Sequence, residues 1–118
     1  MSPIDFIYDL DWSDLPPQVK THTRLCLLDL FGIAAGAHHL TLSGIIRDHA
    51  AEMFGGPAPL LFDARSASSA GVALAAGMSI DALDGHDGFN PAKGHVGCPL
   101  VPAALALGHA AQVSGVAF

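Results

Sequence analysis

The sequence predicts a mainly α-helical fold with at most one short strand. Three observations carry that expectation: apolar residues recur at three- and four-residue intervals, capping residues and prolines precede those stretches, and only Leu60-Leu61-Phe62 has strand character. The 118 residues, 51% hydrophobic and 14% charged, suffice for one domain and are too few for two. Eleven acidic against five basic residues give a net charge of −6, which leaves no broad basic face and excludes nucleic acid as the expected partner. A mean hydropathy of +0.43 is high for so short a chain. Its apolar surface therefore needs a cover, and homodimerisation or self-association through exposed apolar helices is expected.

Residues 4–15 form an acidic, aromatic lead-in. Ser13, Asp14, Pro16 and Pro17 then start a helix whose apolar positions Val19, Cys26, Leu27, Leu30, Ile33 and Ala34 recur at helical spacing, with Leu25, Leu28 and Phe31 on its flank. A helix apolar nearly all round is expected to be buried, with Asp29 needing a partner or an exposed edge. A second helix is predicted over 42–54, capped by Thr41 or Ser43, with Ile45, Ile46, His49 and Met53 inward and Arg47, Asp48 and Glu52 outward. Gly55, Gly56, Pro57 and Pro59 end it. After the lone strand at 60–62, Ser66 or Ser68 caps a third helix over 70–83, rich in small residues. A fourth helix is expected from Pro99–Pro102 to about Val113, before the Ser114-Gly115 break.

Cys26 and Cys98 stand 72 positions apart, without a CxxC pair or a disulfide-rich spacing, so both are expected as reduced thiols in a cytoplasmic protein. The acidic N-terminus lacks the basic start of a signal peptide. The 23 uncharged residues from Val96 to Phe118 are interrupted by Pro99, Pro102, His109, Gln112 and Ser114, so no membrane span is expected.

Polar chemistry is concentrated between the third and fourth helices. Asp81, Asp84, Asp87, His86, His95 and Lys93 fall within 15 positions, among glycines that permit tight turns. Between apolar helices, such a loop suits a pocket lip where carboxylates and imidazoles move protons. Asp84, Asp87 and Asn90 also suit plain turns. His22, His38, His39, His49 and His109 have no catalytic partner nearby in sequence and are read as surface or core histidines. An EF-hand fails because His95 would occupy its twelfth position, and a His-Asp phosphohydrolase fails because no aspartate follows Asp87. A zinc trio of His86, Asp87 and His95 matches no standard spacing, and phosphate-binding glycine loops are absent. No metal or other cofactor is expected.

The stretch Ala82-Leu83-Asp84-Gly85-His86-Asp87, followed by Pro91, His95 and Pro102 leading into an alanine-rich helix, resembles the signature of the MmgE/PrpD family. That family includes 2-methylcitrate dehydratase, cis-aconitate decarboxylase and iminodisuccinate epimerase. Leu28-Asp29-Leu30-Phe31-Gly32 and the helix running from Ser66 to Leu83 are similar to the family's N-terminal region. The resemblance implies that residues 1–118 are a partial helical domain, the N-terminal portion of a larger enzyme whose α/β lid is absent, and that this piece alone is inactive. It matches Asp84 and Asp87 to the first and last aspartates of an Asp-Phe-Asp-Asp-like motif and His95 to the histidine of a His-Pro-Ser-like motif. The implied acid/base residues are Asp84 and His95, and the implied substrate-binding residues are His86, Asp87 and Lys93. The implied reaction removes a proton next to a carboxylate of a small polycarboxylate. The forms Asp-Gly-His-Asp-Gly and Gly-His-Val-Gly-Cys are most similar to the iminodisuccinate epimerase branch. The alternatives are a lyase resembling 2-methylcitrate dehydratase and a non-enzymatic helical interaction module.

Overall fold

The computed structural model describes residues 2–118, which carry five α-helices, one 3-10 turn and two short strands. The mainly helical expectation holds, and the differences lie in one additional helix, one helix face, the strand pairing and the element ends. The lead-in is itself helical: α1 spans Pro3–Asp9. Ser2 Oγ accepts from Asp5 N at 3.1 Å and Asp5 Oδ2 from Ser2 N at 2.8 Å, a reciprocal cap that satisfies donors otherwise left free at a helix start. Asp11 and Asp14 repeat the device around the 3-10 turn Trp12–Asp14. Neither piece buries a residue.

Helix α2 spans Pro17–Ala37 and buries Leu30, Ala34 and Ala37, one line at helical spacing. Its N-terminal half is not buried as expected. Leu25 and Leu28 are 57% and 69% exposed, because no described element packs on that face, and Asp29 takes the exposed edge. The chain turns by 95° into α3, Thr41–Met53. Here the expected cap is corrected: Leu40 holds the cap position without a side-chain bond, and Ser43 is buried inside the helix. The inward face is also rotated. Ser43, Ile46 and Ala50 are buried, whereas Ile45 and Met53 are exposed, since neighbouring helical positions point about 100° apart.

The strand predicted at Leu60–Phe62 is displaced and acquires a partner. β1, Ala58–Pro59, pairs antiparallel with β2, Ser66–Ala67, through Ala58 opposite Ala67 and Pro59 opposite Ser66. Leu60 follows β1 with its side chain buried, and Phe62 takes the left-handed conformation (φ 56°) in the connecting turn. Asp63 holds that turn by accepting from Arg65 N and Nε, both at 2.9 Å. Its Oδ2 also lies 3.3 Å from Arg47 Nε, close enough for an ion pair though not aligned for a hydrogen bond.

Helix α4, Ser69–Asp81, is capped by Ser68 and packs against α2, α3 and α5. Small residues make that central position possible. A Cβ on Gly71 would stand 2.6 Å from Phe54 Cβ, so only glycine admits Phe54 there. Helix α5, Gly97–Ala110, begins two residues before the predicted prolines and ends short of Val113. Pro102 lies inside it and is buried, leaving the Cys98 carbonyl without its helical donor. Two apolar clusters result: one joins Ile46, Ala50, Leu60 and Val72, and the other joins Leu30, Ala34, Ile80 and Cys98 beneath the α4–α5 connection. Among the described residues no single helix is long and apolar enough to cross a membrane.

Candidate functional site

Residues 82–96 connect the C-terminal end of α4 to the N-terminal end of α5, and their hydrogen bonds build a small polar centre over the Leu30–Ile80 cluster. Asp84 follows the helix end, with its N–H on Asp81 O at 3.0 Å and a left-handed φ of 49°. The chain then turns inward. His86 has a fully buried side chain whose Nε2 faces Asp81 Oδ1 at 3.3 Å, and its Nδ1 has no hydrogen-bond partner among the described residues.

Asp87 ties the two ends of the connection together. Its carboxylate accepts from Gly97 N, at 3.0 Å to Oδ1 and 3.3 Å to Oδ2, supplying an acceptor and a negative charge at the start of α5. Glycine is required at 97, because a Cβ there would collide with Asp87 Oδ1 and stand 2.8 Å from Leu30 Cδ1. Between these anchors, Phe89 and Gly94 bridge a tight hairpin, with Lys93 at its tip in the left-handed region (φ 50°).

The hairpin returns His95 to Asp87. His95 Nδ1 lies 2.9 Å from the Asp87 carbonyl oxygen, which can only accept, so Nδ1 carries the hydrogen. Nε2 of the neutral ring then holds the lone pair, the form a general base needs. The His95 ring stands edge-on to His86, with centroids 4.5 Å apart and planes at 86°. The connection therefore brings His86, Asp87 and His95 together. Asp84 and Lys93 are exposed turn residues whose side chains make no hydrogen bond or ion pair among the described residues. Both are non-glycine residues at positive φ, a conformation that costs energy and recurs at functional positions.

Two further residues join the centre, Asp81 from the polar cluster evident in the sequence and Cys98, neither of which carries a site role assigned there. Asp81 faces His86, and Cys98 Sγ lies 3.4 Å from the His95 carbonyl and 4.0 Å from Asp81 Oδ1. Burial, with the charges of Asp81 and Asp87, pushes the Cys98 thiol up. Asp81 meets His86 across five positions of the connection, whereas Cys98 reaches Asp81 only through the docking of α5 on α4. A separate apolar groove of about 220 Å³, lined by Phe31, Leu60, Val72, Pro102 and His109 among others, contains none of the five predicted site residues.

The family model described as the MmgE/PrpD N-terminal domain matches residues 4–118. No curated protein and no solved structure matches the chain.

Proposed function

Because the chain belongs to the MmgE/PrpD family, through that family's N-terminal domain, we propose that its α4–α5 connection supplies acid/base groups for proton removal next to a carboxylate. The substrate is a small polycarboxylate, and the reaction is most like that of iminodisuccinate epimerase. The observation that carries this reading is the 2.9 Å contact of His95 Nδ1 with the Asp87 carbonyl oxygen, which assigns the ring hydrogen to Nδ1 and leaves Nε2 free to accept. Nε2 can take the proton as the C–H bond breaks, and the electron pair moves into the adjacent carboxylate as an enediolate. Return of a proton from the opposite face inverts the centre, and Asp84 is the second acid/base group. His86 and Lys93 bind substrate carboxylates, and Asp87 completes the binding lip while holding α5 and His95 in place. No cofactor takes part. A cytoplasmic setting, with Cys26 and Cys98 reduced, completes the reading.

The test is solvent-deuterium exchange at the carbon next to the carboxylate, followed by NMR and polarimetry in the assembled enzyme. Epimerisation with deuterium incorporation, lost in His95→Ala and Asp84→Asn, supports the proposal. Formation of an alkene with loss of water transfers the site to the lyase alternative resembling 2-methylcitrate dehydratase. Exchange at the wild-type rate in both variants eliminates the proton-transfer roles, and stable complex formation without any turnover favours the helical interaction module.

A further inference from the structure

We propose that Asp81, His86 and Cys98 form a binding site for a thiophilic divalent cation of the zinc class, which shares His86 with the binding lip assigned above. One ligand atom from each residue lies within 4.8 Å of the other two. Donors roughly 2.0–2.3 Å from one tetrahedral ion stand about 3.3–3.8 Å from each other. The two edges to Asp81 are 3.3 Å from His86 Nε2 and 4.0 Å from Cys98 Sγ, near that spacing, and the His86–Cys98 edge, within 4.8 Å, closes by up to about 1 Å when the ion binds.

The bonding of His86 is also incomplete. Its side chain is fully buried, yet one ring nitrogen has no partner among the described residues and the other has only a long contact. The nitrogen that faces the other donors is Nε2, and its one partner among the described residues is the Asp81 carboxylate of the same trio, so an ion between them displaces no other hydrogen bond of the ring. The donor set selects the ion. Imidazole, carboxylate and thiolate together suit zinc, whereas magnesium and calcium prefer oxygen alone.

Asp81 closes α4 and Cys98 lies in the first turn of α5, so an ion held by them and by His86 clamps the junction of the two helices. On binding, the Cys98 S–H bond breaks, its proton passes to solvent, and the sulfur electron pair forms the bond to the metal. No oxidation state changes. Three protein donors leave a fourth position to water. The trio His86, Asp87 and His95 does not serve instead, because Gly97 N engages the Asp87 carboxylate and the Asp87 carbonyl engages His95.

Cobalt(II) is the probe, titrated into the metal-free protein while thiolate-to-cobalt charge-transfer absorption is recorded. The expected result is saturation at one ion per chain with a thiolate band, displaced by zinc. Cys98→Ser removes the band and weakens binding more than about tenfold, and Cys26→Ser changes neither. Asp81→Asn, a change at an exposed carboxylate, weakens binding while circular dichroism stays native. Absence of a thiolate band in the wild type, a band that survives Cys98→Ser, or binding undiminished by Asp81→Asn overturns the proposal. None of these readouts involves turnover, so failure of the epimerase reading leaves the metal site standing, and the reverse.

Discussion

Asp63 shows how one carboxylate can organise a turn. It accepts from Arg65 Nε and faces Arg47, and hydrogen bonds from Arg65 hold its carboxyl well below the usual carboxylate range. A group whose folded pKa is depressed contributes stability above its unfolded value, near pH 4, and loses it as pH falls toward the folded value. Because the Arg65 side chain is 44% exposed, solvent screening discounts the pair, and Asp63→Asn is expected to cost about 1 kcal/mol at pH 7. Thermal melts should show the gap between wild type and variant closing below about pH 4; a constant gap down to pH 2 would contradict the linkage. Gly97 is the second sensitive position. A methyl there meets Asp87 Oδ1 and Leu30 Cδ1, so Gly97→Ala should lower stability by about 1–3 kcal/mol and displace the His95 ring resonances, read by denaturation and NMR.

Among the elements, α4 is the one on which the others converge. Six of its residues are buried, four of them Gly, Ala or Ser and only Val72 and Ile80 larger. Close approach of backbones therefore replaces large interdigitating side chains, and the few large side chains matter more. Ile80 is 2% exposed and packs with Leu30, Ala34 and Cys98, directly under the polar centre. Ile80→Ala should cost about 2–5 kcal/mol in urea unfolding, a value below 1 kcal/mol indicating that the cluster collapses around the gap. By contrast α1 buries nothing and is held by its cap alone, so truncating it should leave the melting temperature of the remainder nearly unchanged.

On the scale of the whole molecule, the chain is extended for its length. Its radius of gyration is 15.2 Å, against about 13–14 Å for a compact domain of this size. The excess accompanies apolar side chains left in water: Ile7, Leu25 and Leu28 are 57% to 70% exposed. Sedimentation should therefore show concentration-dependent self-association that persists in high salt, because apolar contacts are not screened. Leu25→Asp with Leu28→Asp should shift the distribution toward monomer. An unchanged distribution in the double variant would remove this face of α2 from the interface.

The sequence by itself determined the helical class, the approximate spans of four helices, and the segment in which acids and imidazoles gather. Those features are local: helical periodicity, capping and turn chemistry act over a few residues, and Ser68 and Asp63 do what their types imply. Tertiary structure alone decided which side of α3 faces inward, that Ser66–Ala67 partners Ala58–Pro59, and that Asp81 and Cys98 meet at His86 while Asp84 stays exposed. These outcomes depend on how α4 and α5 dock, and contacts between residues 17 positions apart carry no periodic signal along the chain.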